Sequence, residues 1–179
     1  MSKIGTKLPN VTFAFREGDE APEGGGCPIG GEFVFKTTDD LFANKRIVVF
    51  SLPGAFTPTC STYQLPGFEE QYEDFRAQGI DDIYCVSVND AFVMNEWARS
   101  LNIRNVHPIP DGAGVFTNGM GMLVNMSGIG FGDRSRRYAA VINNGTVEHM
   151  FIEPEASETD PDPYGVSSPE SVMNFLKAI

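Results

Sequence analysis

The chain has 179 residues, 41% of them hydrophobic and 21% charged, which suits one soluble domain with a sizeable core, and 1–179 reads as a single domain. A formal net charge of −11, with no basic stripe longer than Arg134-Ser135-Arg136-Arg137, argues against a nucleic-acid partner. No apolar run approaches the length of a membrane span, and Met1–Gly5 lacks the apolar core of a leader, so a cytoplasmic protein with no membrane partner is expected.

In chain order, Val11–Phe15 alternates apolar and polar residues as a short strand does. The acidic, Gly/Pro-rich stretch Glu17–Gly31 reads as a loop, and Glu32–Phe35 as a second strand. Thr38–Phe42 suggests one helical turn ahead of the strong buried-strand pattern Ile47–Leu52. A long helix is expected over Gln64–Gln78, stopped by Gly79. Asp82–Val88 is the next strand, and Ala91–Ser100 a helix with an apolar stripe. Val106–Pro110 reads as a short strand and Val115–Met122 as a short irregular helix. Arg137–Ile142 and Thr146–Ile152 flank Asn143-Asn144-Gly145, a hairpin signal because Asn-Gly tolerates positive φ. Glu153–Gly165 is an acidic, Pro-rich loop, and Ser168-Pro169 caps a last helix reaching about Lys177. The order predicts an α/β fold with a mixed central sheet flanked by helices and with extra N-terminal strands.

The chemistry concentrates at Cys60. It follows the strand Ile47–Leu52 and precedes a helix, so its sulfur meets unpaired backbone N–H groups and the positive end of the helix dipole. Thr57 and Thr59 place two hydroxyls within three residues. The other thiols differ: Cys85 falls on the alternation of a central strand and reads as core, whereas Cys27, in Gly25-Gly26-Cys27-Pro28, reads as exposed. Three cysteines cannot all pair within one chain, and none forms a C-x-x-C motif, so free thiols in a reducing compartment are expected. With only two scattered histidines, His107 and His149, the thiols lack the spacing of a metal site, and no metal or cofactor is expected.

Pro53, Thr57 and Cys60 form Pro-x-x-x-Thr-x-x-Cys, accompanied by Leu65-Pro66-Gly67-Phe68, Ser87–Val93 and Gly130-Phe131-Gly132-Asp133-Arg134-Ser135-x-Arg137-Tyr138. On these stretches, which cover most of the chain, the sequence resembles the peroxiredoxins, specifically the peroxiredoxin-5 type, including the peroxidase half of bacterial peroxiredoxin–glutaredoxin fusions. The resemblance implies a thioredoxin-like fold and a thiol-dependent peroxidase reducing hydrogen peroxide and organic hydroperoxides, with Cys60 passing through a sulfenic acid. It implies that Thr57 hydrogen-bonds thiolate and peroxide, that Arg137 stabilises the thiolate and holds the peroxide oxygens, and that Pro53 shields the sulfur from water. The N–H groups of Thr59 and Cys60 complete the donor set, and Phe131 with Ile129 gives the pocket an apolar rim. These donors suit the reaction on physical grounds too, because attack on an O–O bond builds negative charge on the departing oxygen. Arg134 is the second candidate for the arginine role.

Some relatives of this type carry a second, resolving cysteine after the last hairpin strand, but Phe151–Ser168 contains none. The expectation is therefore a one-cysteine cycle reset by glutathione, with a separate glutaredoxin, since no fused one follows Ile179. Alternatives are a peroxide-sensing relay to a partner protein, a two-cysteine peroxidase resolved by Cys27 or Cys85, and a cysteine hydrolase using His107 or His149. The resemblance also implies a homodimer, for which Phe56, Phe92, Met120 and Met122 are interface candidates that could equally be core.

Overall fold

The run Ile47–Leu52 is completely buried, as a strand covered on both faces must be. Around it the computed structural model, which describes residues 3–179, builds the whole architecture. Met1 and Ser2, part of the stretch read for a leader, lie outside the described residues. The elements are β1 (Thr12–Glu20), β2 (Ile29–Thr37), α1 (Thr38–Phe42), β3 (Arg46–Ser51), a π-helical turn Cys60–Gln64, α2 (Leu65–Glu70) and α3 (Tyr72–Ala77). There follow β4 (Asp82–Ser87), α4 (Ala91–Ser100), β5 (His107–Pro110), α5 (Val115–Gly119), β6 (Leu123–Asn125) and β7 (Asp133–Ser135). The chain closes with β8 (Tyr138–Asn143), β9 (Thr146–Ile152) and α6 (Pro169–Ala178).

The central sheet has the order β5-β4-β3-β8-β9, parallel from β3 through β5 and antiparallel across β8 and β9. Strand alternation divides its core into two layers. Val48, Phe50 and Leu52 face one cluster with Cys60, Phe68, Phe75, Cys85, Trp97 and Leu176. Ile47 and Val49 face the other with Phe42, Tyr84, Phe116 and Tyr138. Phe50 and Phe68 stack with centroids 4.2 Å apart, fixing the helix that carries Cys60 against β3. This is the expected mixed α/β, thioredoxin-like sheet with an added N-terminal β1–β2 ribbon.

Three expectations need correction. Both ends of the stretch read as a loop over Glu17–Gly31 are strand, with 21–28 left as the connecting loop, because β1 and β2 pair through Glu17↔Glu32, Asp19↔Gly30 and Glu20↔Ile29. Gly18, Gly30 and Gly31 take positive φ there, a conformation that hides the strand period from the sequence. The helix read as Gln64–Gln78 begins earlier, at Pro58, and is interrupted at Gln71, whose ψ of 9° lies outside the helical range. The Gln71 backbone N–H still donates to the Gly67 carbonyl at 3.3 Å, and its side-chain Nε2 donates to Glu170 Oε1 of α6 at 3.0 Å. The helix read to Met122 ends at Gly119, and Met120 and Met122 are core residues, not surface ones. Phe56 and Phe92, by contrast, are exposed.

The hairpin signal holds: Asn144 and Gly145 have φ of 46° and 75°, the pair of positive values a tight β8–β9 turn needs. Register then positions the chemistry. Tyr138 pairs with Ser51 at the end of β3, so the residue before Tyr138, Arg137, emerges beside the loop that leaves β3 for Cys60.

Candidate active site

The loop from β3 turns sharply before the helix. Phe56 takes φ of 64°, and the Ala55 N–H donates to Asn89 Oδ1 at 3.0 Å, which also accepts from the Ser87 hydroxyl at 2.6 Å. The helix opens with Pro58, the residue best tolerated at a first helical position. Its first closed ring runs from Ser61 N–H to the Thr57 carbonyl at 3.0 Å. Thr59 and Cys60 therefore stand among the N–H groups that a helix start leaves without intrahelical acceptors. At Cys60 the helix widens: the Leu65 N–H reaches back five residues to the Cys60 carbonyl, a π turn of the kind found mostly as single bulges.

Cys60 is wholly buried, and Arg137, only 4% exposed, approaches it from the β8 side. Arg137 Nη1 donates to Cys60 Sγ at 3.3 Å and to Gln64 Oε1 at 2.6 Å, while Nη2 donates to Asp162 Oδ1 at 2.5 Å. The Tyr164 ring centroid lies 5.8 Å from the guanidinium carbon, and Tyr164 stacks on Tyr63. Burial opposes the charge of Arg137, but the facing Cys60 sulfur and the Asp162 carboxylate outweigh it, and the guanidinium holds its proton more tightly than an ordinary arginine. The Nε atom of Arg137 and the Nε2 atom of Gln64 are buried without a hydrogen-bond partner, so the site keeps spare donors.

The remaining sequence-predicted residues divide. The Thr57 hydroxyl donates to the Gly54 carbonyl at 2.7 Å. Pro53 is half-buried, and its carbonyl accepts from Arg134 Nη1 at 3.2 Å. Arg134 also donates to the Phe131 carbonyl and lies over the Phe131 ring, so Phe131 and Arg134 buttress the Pro53–Gly54 loop. Arg137, not Arg134, is the arginine at the sulfur. Ile129 is exposed. Arg136 donates to the Glu153 carbonyl at 3.0 Å.

Cys85 is buried in β4, where burial, reinforced by the charge of Cys60 and opposed by Arg137, pushes its thiol well above the usual range. Cys27 is exposed, and all three cysteines are free. His107 pairs with Asp82 at 3.0 Å and His149 stacks on Phe175, so neither is placed as a base for Cys60.

Sequence reasoning missed three partners of Arg137. Gln64 stands four residues after Cys60, a helical spacing that could have revealed it. Asp162 and Tyr164 arrive from a loop 25 or more residues beyond Arg137 with no periodic signal. Ser61 accepts from Trp97 Nε1 at 2.9 Å, joining the helix start to α4.

The Redoxin family model matches residues 4–166. A peroxiredoxin of Rhizobium etli is 56% identical over 173 residues, covering 96% of this chain and 95% of that one. The hybrid peroxiredoxin hyPrx5 of Haemophilus influenzae is 48% identical over 98% of this chain and 66% of its own length. Among solved structures, the Plasmodium falciparum antioxidant protein, a 1-Cys peroxiredoxin, superposes with a TM-score of 0.85 at 36% identity, covering 98% of this chain and 99% of that one. With a Cys–Arg pair at a helix start and these relatives, the chain belongs to the Redoxin family and, within it, to the peroxiredoxins, the thiol peroxidases.

Proposed function

We propose that Cys60 is the sole catalytic cysteine of this peroxidase, and that a thiol from outside the chain resets it. The observation that carries this is the fully buried Cys60 sulfur at a helix start with Arg137 Nη1 at 3.3 Å. The sulfur attacks one peroxide oxygen, the O–O bond breaks, and an S–O bond forms to give the sulfenic acid. The second oxygen departs with the bonding pair and leaves as water or alcohol after taking a proton. Arg137 and the N–H groups of Thr59 and Cys60 face the developing charge. Thr57, whose proton already goes to Gly54, keeps its oxygen lone pairs for the proton of an incoming hydroperoxide. Pro53 and Phe131 wall the loop side.

Return of the thiol needs two reducing equivalents. A first external thiol displaces water from the sulfenic acid to give a mixed disulfide, and a second releases Cys60. Phe151–Ser168 contains no cysteine, and Cys85 sits inside a central strand with its proton held tightly. Similarity to the Plasmodium falciparum antioxidant protein, a 1-Cys peroxiredoxin, supports the same reading. Because the sulfur is wholly buried, a reductant larger than peroxide reaches it only when the first helical turn opens, and the π turn at Cys60 is the natural place for that. Glutathione with a separate glutaredoxin is the reductant we favour, supported by the likeness to fusion-type sequences and by the hybrid relative. A homodimer using the exposed Phe56 and Phe92, in the cytoplasm, completes the proposal.

Peroxide turnover by wild type and Cys60→Ser, each with glutathione plus glutaredoxin or with thioredoxin, tests it. Wild type should turn over many equivalents with the glutathione system and Cys60→Ser none. Residual turnover in Cys60→Ser, or support from thioredoxin alone, would contradict it.

A further inference from the structure

Arg137 is held by more than the sulfur and Gln64. The segment after β9 leaves the sheet and returns to α6 as a strap whose base is sewn shut. The Glu153 N–H donates to the Arg137 carbonyl at 3.1 Å, and the buried Glu153 carboxylate accepts from the N–H groups of Gly165 and Ser167 and from the Ser167 hydroxyl, at 2.7, 2.8 and 2.8 Å. Three charge-assisted bonds to one oxygen are strong closure for a loop neck. Within the strap, Pro161-Asp162-Pro163 restricts Asp162 from both sides: each proline fixes its own φ, and Pro163 steers Asp162 away from the helical region. Asp162 therefore reaches Arg137 with little backbone entropy left to lose.

The pair is asymmetric. The Arg137 side chain is 3% exposed and that of Asp162 is 42% exposed, so the carboxylate approaches a buried cation from the solvent side. It occupies Nη2 and so turns Nη1 toward Cys60 and Gln64. A guanidinium is planar, so anchoring one edge orients the other. Tyr164, two residues on, lies beside the same guanidinium and stacks on Tyr63 of the Cys60 turn.

We propose that Asp162 is a positioning residue for peroxide reduction: carried by the Glu153-closed strap, it aims Arg137 at Cys60. Asp162 touches neither peroxide nor sulfur in this role and acts only through Arg137. The idea rests on the reading that Arg137 serves the chemistry.

The test is the second-order rate of Cys60 oxidation by hydrogen peroxide, followed by stopped-flow fluorescence of Trp97, the chain's single tryptophan. Wild type, Asp162→Ala, Asp162→Asn, Arg137→Ala and the Asp162→Ala/Arg137→Ala double variant are compared, with circular dichroism to normalise for folded protein. Loss of aim should slow Asp162→Ala on the order of tenfold or more. Asp162→Asn, which keeps an acceptor, should fall between it and wild type. In the Arg137→Ala background the Asp162 substitution should change nothing further, as required of groups acting through one another. A rate in Asp162→Ala equal to or above wild type would overturn the proposal, because the carboxylate would then be only a counter-charge. An equal further loss in the Arg137→Ala background would overturn it too. If Arg137→Ala itself is as fast as wild type, the reading of Arg137 fails first and the proposal with it.

Discussion

Replacing Arg137 by methionine keeps much of the side chain's length and removes its charge. In wild type, Nη1 lies 3.3 Å from Cys60 Sγ. At an effective dielectric near 20, two unit charges at that separation attract by about 5 kcal/mol, which is a ceiling. The net value of a charged hydrogen bond in a folded protein is about 1.5–3 kcal/mol. If that is the loss at the transition state, the rate falls by about one to two orders of magnitude. A second cost falls on stability, because Gln64 Oε1 is buried and would lose its donor at 2.6 Å. An orphaned buried acceptor costs about 1–3 kcal/mol. Stopped-flow oxidation with excess peroxide reads the rate, and thermal melting reads the stability. A methionine variant that oxidises within about twofold of wild type, against the loss derived above, would refute the electrostatic role given to Arg137.

Other outcomes follow from the same contacts. The Cys27→Ser/Cys85→Ala double variant should keep wild-type turnover with the glutathione system while melting slightly earlier, since Cys85 fills core space worth about 1 kcal/mol; loss of turnover would restore a resolving role to one of them. In Gly119→Ala the new methyl would come 2.5 Å from Pro9 Cγ and 2.7 Å from its Cβ, a ring that cannot swing away, so thermal denaturation should report a loss of about 1–3 kcal/mol. Asp82 is partly buried, which opposes its charge, but His107, Tyr72 and the Ile83 N–H outweigh this and lower its pKa below 3.8. The folded state then binds fewer protons than the unfolded chain, so this stabilisation is present above pH 3.8 and lost as pH falls through the lowered value. Melting temperatures of Asp82→Asn should therefore depend on pH less steeply than wild type below about pH 4, and parallel curves there would contradict the assignment.

What the sequence made legible was local. Pro53, Thr57 and Cys60 share one loop and one helix start, and Asn144-Gly145 announces its own turn. Arg137 could be read only through the resemblance to the peroxiredoxins, which carry an arginine just before the hairpin strand. The β1–β2 ribbon escaped because Gly18, Gly30 and Gly31 break the alternation that marks a strand. Strands β6 and β7 are three residues each, too short for a period to register. Asp162 looks like any acidic loop residue until the closure at Glu153 brings it to Arg137, and no nearest-neighbour rule encodes that contact. Thr57 was recognised, but the bond its proton makes to Gly54 depends on the turn at Ala55-Phe56 and so appears only in three dimensions.

The central claim, that Cys60 alone carries the oxidation, is tested most directly by treating the reduced protein with one equivalent of hydrogen peroxide. A dione probe that adds to sulfenic acids is present, and the product is mapped by non-reducing mass spectrometry. The account predicts one oxidised site, with the probe on Cys60. A disulfide joining Cys60 to Cys27 or Cys85 as the main product, or the probe on either of those thiols with Cys60 unmodified, would contradict it.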